Sequence, residues 1–276
     1  MAIQLGTVAP IGFEDFPPRP WLACLRQLGC TVVQAYRNQQ AQVSVQQIRD
    51  AIAAGEMPCD SLHGVFGEQF DPSSPDEKAR RCAVDAFRLE GELALALGGS
   101  LVVVHCSTIR KGGAEPQERA ARVNQLRKSI ADLGAFGRNI GVRYAFENLP
   151  DYHPLGSDVA ELAGILHAVG APNAGMCFDS GHANMVGDPV AAVAQTAGQM
   201  IYVHLSDNSG HADDHEMPTC GSIDALALAR AVRQTGYRST MMLEVFYKVD
   251  RLRQLIDQGL ADRLASVLSV ANGENE

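Results

Sequence analysis

The sequence predicts a (β/α)8 barrel, taken as one domain over residues 1–276. Short β-branched or apolar runs alternate eight times with long amphipathic ones. Alternation of this kind makes a parallel sheet with helices outside it. Each repeat of strand plus helix takes about 30–35 residues, which suits a closed barrel of about 250 residues. A third observation concerns chemistry: six consecutive strand candidates end on or beside an ionisable or imidazole side chain.

Strands are expected at Ile3–Ala9, Thr31–Ala35, Cys59–Val65, Leu101–His105, Val142–Glu147, Gly175–Asp179, Met200–Leu205 and Thr240–Val245. Helices are expected around 20–28, 44–55, 75–97, 116–139, 157–169, 188–198, 223–235 and 249–271. Ser44, Ser74-Pro75, Ser157 and Asp188-Pro189 have the side chains that start helices. Gly29, Gly98-Gly99, Gly141, Gly170 and Gly236 stand where helices stop. A doubly wound sheet is the alternative, but its glycine-rich first turn is missing, because residues 10–15 read Pro-Ile-Gly-Phe-Glu-Asp.

Hydrophobic residues make up 46% of the chain and charged residues 20%, which excludes the disordered and fibrous classes. The net charge of −9 argues against a nucleic-acid partner, whose phosphates call for a basic surface. The seven cysteines include no CxxC pair and sit mostly in apolar runs, as buried reduced thiols do. The first ten residues lack the basic and apolar regions of a signal peptide, and no run is long enough to span a membrane. A cytoplasmic protein with no membrane partner is expected, and self-association into a homo-oligomer is left open.

In a parallel barrel the active site lies at the carboxyl ends of the strands. Those ends carry His63, His105, Glu147, Asp179 with His182 close behind, His204 and Glu244. Each alone has an ordinary explanation: a core histidine, a helix cap or a solvated carboxylate. Their shared register at one rim points instead to a common metal or acid–base site. Several carboxylates in one mouth repel one another, and a divalent cation cancels that repulsion. Three carboxylates and one imidazole (Glu147, Asp179, His204, Glu244) suit Mn²⁺ or Mg²⁺, with Co²⁺ or Zn²⁺ also compatible.

Five segments carry a resemblance. They are Ala-Phe-Glu-Asn-Leu (145–149), Cys-Phe-Asp-Ser-Gly-His (177–182), Val-His-Leu-Ser-Asp-Asn (203–208), Asp-Asp-His-Glu-Met-Pro-Thr-Cys-Gly (213–221) and Leu-Glu-Val (243–245). In this order they resemble the xylose-isomerase-like barrel superfamily, which includes sugar phosphate isomerases and epimerases, inosose dehydratases and endonuclease-IV-type enzymes. The resemblance implies one divalent metal held by Glu147, Asp179, His204 and Glu244, with the two glutamates doubling as acid–base groups. It implies substrate contact by His182, and places His63, His105, Asp213 and His215 in the same mouth. The implied activity is proton transfer on a sugar, ketose or keto-polyol through a metal-stabilised enediolate. Dehydration of a keto-inositol by the same chemistry is the alternative. A three-zinc abasic-site nuclease, whose extra ligands would fall at His63, His105, Asp213 and His215, ranks below both.

The remaining features read more plainly. Trp21 is expected in the core. Phe66, Phe70, Tyr247 and Cys220 are candidates for the pocket wall, and His211 or Lys248 for a missing substrate-binding arginine. Arg80-Arg81 and Arg110-Lys111 read as solvated charges, with Arg110 near enough to His105 to reach the mouth.

Overall fold

The structure, a computed structural model, describes residues 2–108 and 115–274. The eight strands are β1 (Gln4–Ile11), β2 (Val32–Arg37), β3 (Cys59–His63), β4 (Leu101–His105), β5 (Arg143–Glu147), β6 (Ala174–Asp179), β7 (Met200–Leu205) and β8 (Thr240–Leu243). They close in sequence order into an all-parallel barrel, with β1 pairing to β8 through Gln4↔Thr240 and Leu5↔Met241. The expected (β/α)8 barrel is the observed fold.

The helices are α1 (Pro18–Gln27), α2 (Val45–Ala53), α3 (Glu77–Leu97), α4 (Arg119–Ile140), α5 (Val159–Val169), α6 (Ser180–Val186), α7 (Pro189–Gln195), α8 (Ala225–Gln234), α9 (Val249–Asp257) and α10 (Leu260–Asn272). The main apolar core lies between strands and helices, where Val8, Leu62, Val104, Phe146 and Phe178 are fully buried. Trp21 is in that core, its indole N–H donating to Tyr247 O at 2.8 Å.

Two of the four expected helix starts hold the expected residues. Ser44 closes a capping box with Gln47, and Asp188 caps α7. In two places a nearby aspartate takes the role expected of a serine: Asp76 caps α3 and Asp158 caps α5, each accepting the N–H three residues on. The expected last helix is two helices, because Gly259 at φ +78° puts a left-handed residue between α9 and α10. Arg80 departs from its expected solvated state. It is buried and ion-paired to Glu77 and Asp132 at 2.9 and 2.8 Å. Arg110 and Lys111 lie outside the described residues.

Cys24, Cys30, Cys59, Cys106 and Cys177 are buried free thiols, whereas Cys82 and Cys220 are exposed. Burial pushes the Cys59 thiol up to about 11, and so withholds the reactive thiolate. An Ellman titration of the native protein is expected to show two fast thiols, rising to seven in denaturant. More than two fast thiols without denaturant would mean that the barrel packs less tightly than described.

Candidate active site

The rim at the carboxyl end of the barrel gathers all the predicted residues. Strand register does much of this: His105 pairs with Glu147 across β4 and β5, and Asp179 with His204 across β6 and β7. Glu244 lies one residue past β8, its N–H still donating to Leu205 O at 3.3 Å. Glu147, Asp179 and His204 are fully buried and Glu244 nearly so.

One contact defines the centre. His204 Nδ1 lies 2.7 Å from Glu147 Oε1 and 2.7 Å from Glu244 Oε2, with Asp179 Oδ2 at 3.9 Å. A ring nitrogen carries at most one proton, so it cannot donate to both glutamates. Asp179 Oδ2 is buried without a hydrogen-bond partner, and Glu147 Oε2 and Glu244 Oε2 have only His105 Nε2 at 3.2 Å and the shared His204 Nδ1 to face. Buried orphan carboxylate oxygens are costly unless a cation satisfies them. One ligand atom from each of these four residues lies within 4.8 Å of the other three. The donor set and its under-satisfied oxygens fit a divalent metal.

Electrostatics without a cation show the same tension. Burial, reinforced by repulsion from Glu147 and Glu244, pushes the Asp179 carboxyl up to about 6. Burial also opposes ionisation of Glu244, but the His204 imidazolium outweighs it and holds that carboxyl down at about 2. His204 itself is raised well above the usual imidazole range, its burial outweighed by neighbours that include both glutamates.

Asp179 serves two purposes. Its Oδ1 accepts the His182 N–H at 2.7 Å and so starts α6, a helix that the sequence reading did not anticipate. That first turn places His182 at the mouth. There His182 Nδ1 donates to Asn148 O at 2.9 Å, and Nε2 lies 3.3 Å from Asp213 Oδ2. With acceptors on both ring nitrogens, and despite burial, Asp179 and Asp213 raise His182 well above the usual range. His215 Nδ1 lies 3.4 Å from Asp213 Oδ1, and these three residues form a second convergent group. His63, His105 and Glu147 form a third: His105 Nε2 is 3.2 Å from Glu147 Oε2 and His63 Nε2 is 4.0 Å from it. Burial drives His63 down to about 4, so it is neutral, with Nδ1–H on Gly64 O and Nε2 facing the glutamates.

Above the carboxylates opens a cavity of about 310 Å³, walled by Tyr36, Phe66, Leu149, Pro150 and Tyr152. His63, His105, His182, Asp213, His215 and Glu244 line its floor and sides. Among the described residues no lysine or arginine lines it. Phe70, Cys220, Tyr247, His211 and Lys248, expected as candidates, do not line it either. Lys248 pairs with Asp15 at 3.1 Å, and the Tyr247 hydroxyl accepts from Met217 N at 3.2 Å.

Several contributors escaped the sequence reading. Asn148 clips the ends of β5 and β6 together, donating to Asp179 O at 2.9 Å and accepting from Asp179 N at 2.7 Å. Asp207 organises the loop after β7, accepting from the backbone of Asn208, Gly221 and Ile223. A Cβ on Gly221 would meet Asp207 Oδ1 at 2.3 Å, so glycine is required there. Tyr36 and His153 line the cavity, and Gln34 lies beneath it against His204. The polar clue for Gln34 is its isolation in the apolar run Val-Val-Gln-Ala (32–35).

Residues 22–265 match the family model described as the xylose isomerase-like TIM barrel. The chain belongs to this family. Among curated relatives, an inosose isomerase of Bacillus velezensis is 26% identical over 184 residues, covering 62% of each chain. A Methanocaldococcus jannaschii protein, MJ1311, is 27% identical over 191 residues, covering 66% of this chain and 63% of its own. The chain thus spans a little under two thirds of these curated relatives. Of solved structures, a D-tagatose 3-epimerase-like protein superposes with TM-score 0.75 at 17% identity, covering 99% of this chain and 100% of that one. A D-allulose 3-epimerase from Methylomonas sp., solved with D-allulose, gives TM-score 0.72 at 18% identity and covers 99% of both chains. At these identities the structural likeness is one of fold. No helix among the described residues of this family member is long and apolar enough to cross a membrane.

Proposed function

We propose that this protein is a sugar isomerase or epimerase that moves a proton at a carbon beside a carbonyl. The observation that carries the reading is the convergence of Glu147, Asp179, His204 and Glu244 beneath a sugar-sized cavity. The inosose isomerase among its relatives and the sugar epimerases among its structural neighbours support it.

The four residues would hold one divalent ion, Mn²⁺ or Mg²⁺ before Co²⁺ or Zn²⁺. When bound, such an ion supplies electrophilic stabilisation of the negative charge that develops on the substrate's oxygen. The protein does the rest. Glu244 lines the cavity and Glu147 lies beneath it; in the proposed chemistry one of these carboxylates removes a proton from carbon and the other returns one. Return to the opposite face epimerises, and return to the neighbouring carbon isomerises. His182, with Nδ1 held by Asn148, turns Nε2 from Asp213 to a substrate oxygen, while His63, His105, Asp213 and His215 orient the remaining hydroxyls. The aromatic wall excludes water from the developing charge.

Two tests follow. Ketoses and inososes incubated with the metal-loaded protein in D₂O are expected to gain deuterium at the carbon beside the carbonyl, together with an epimer or isomer. Loss of water would identify the dehydratase, and no exchange with any substrate would remove the proposal. His182→Ala is expected to raise KM with a smaller change in kcat, because a substrate contact is lost but no proton acceptor. A fall in kcat at unchanged KM would place His182 in the chemistry instead.

A second reading has one observation behind it. The groups His63, His105, Glu147 and His182, Asp213, His215 could each take a further ion, which would suit phosphodiester cleavage. The net charge of −9 and the cation-free wall among the described residues weigh against a nucleic-acid substrate.

A further inference from the structure

Below the candidate metal ligands the barrel interior holds a second polar layer. Gln34, fully buried in β2, lies with Oε1 3.1 Å from His204 Nε2, and its own Nε2 donates to Ser61 Oγ at 3.2 Å. Gln34 and Ser61 are register partners on β2 and β3, which puts both side chains on the same face of the sheet. Ser61 Oγ donates to Asp60 Oδ1 at 2.6 Å and lies 2.6 Å from the Tyr202 hydroxyl. Asp60 also accepts from Tyr202 at 3.0 Å and from Thr240 Oγ1 at 2.6 Å.

We infer that Gln34 is the positioning residue that decides which nitrogen of His204 is free to hold the cation. The direction of each bond follows from counting protons. The Ser61 and Tyr202 hydroxyls have two protons for their three contacts with Asp60 and each other, and either arrangement spends the Ser61 proton on Asp60 or Tyr202, away from Gln34. Ser61 Oγ then offers Gln34 only lone pairs. The Gln34 amide must turn its NH₂ to Ser61 and its oxygen to His204. An amide oxygen only accepts, so His204 Nε2 keeps its proton there. Nδ1, the atom 2.7 Å from both glutamates, is left to offer its lone pair. Every member from His204 through Gln34 to Ser61 is fully buried, so water does not substitute for a missing link. Outer partners of this kind orient a ligating imidazole and raise its basicity.

This inference rests on the metal centre proposed above. Its test is Mn²⁺ affinity, read as the EPR signal of free ion during titration of metal-stripped protein, with circular dichroism and metal-free thermal midpoints reporting folding. Gln34→Met fills the space without an acceptor and is expected to weaken binding by about 10- to 100-fold. Gln34→Glu returns an acceptor oxygen to His204 and is expected to recover most of that loss. Ser61→Ala frees the amide to turn and is expected to weaken binding to an intermediate degree. Wild-type affinity in Gln34→Met, or equal losses in the Met and Glu variants, overturns the role of Gln34. Should Gln34→Met fail to fold, unaltered affinity in Ser61→Ala overturns it. A wild-type protein that binds no Mn²⁺ would instead remove the metal reading itself.

Discussion

Glu147→Gln and Glu244→Gln are each expected to lower kcat at least about 10²-fold at full metal occupancy, the usual scale of general acid–base catalysis. An amide nearly keeps the shape of the carboxylate but cannot accept the proton. Both substitutions also replace an anionic ligand by a neutral one, so occupancy has to be measured beside rate. The two variants are expected to differ. Without the proton-accepting glutamate, deuterium exchange at carbon stops; without the delivering one, exchange can continue with no turnover. Glu244, which reaches the cavity, is the first candidate for acceptor. A metal-replete double variant that still converts a ketose at near wild-type rate would require another base.

Metal stripping is expected to cost at least as much. Stabilising developing oxyanion charge is worth several kcal/mol, and about 1.4 kcal/mol corresponds to tenfold in rate. Chelator-treated protein should therefore lose more than about 10²-fold of its activity and regain it with Mn²⁺. Stability supplies an independent readout. Three buried carboxylates share one imidazole at the centre, so a bound cation stabilises the folded state. At 100 times its dissociation constant a ligand that binds only the folded chain adds about 2.7 kcal/mol. Added Mn²⁺ should raise the thermal midpoint of the wild type, and much less that of Asp179→Asn. Equal midpoints with and without Mn²⁺ would contradict the ligand set.

Much of this arrangement was legible in the chain. Short β-branched or apolar runs alternating with helical runs that stop at glycines mark the eight repeats. Strand ends mark the rim, because parallel register carries His105, Glu147, Asp179 and His204 to one level. What could not be read depends on contacts between distant segments. Asn148 and Gln34 are ordinary amides until β5 meets β6 and β2 meets the inside of the barrel. The buried state of Arg80 depends on Asp132, a residue of α4. The short α6 was missed because its start is set by the Asp179 carboxylate, which also looked like a ligand. The two meanings proved compatible, since one oxygen caps the helix and the other is left unpaired in the site.

The central claim is that four of the rim residues hold a single ion and the remaining histidines and Asp213 face the substrate. Anomalous diffraction from crystals grown with Mn²⁺ tests it most directly. One peak at about 2.0–2.4 Å from Glu147, Asp179, His204 and Glu244 is the predicted result. Three peaks, with the second ligated by His63 and His105 and the third by His182, Asp213 and His215, would contradict it.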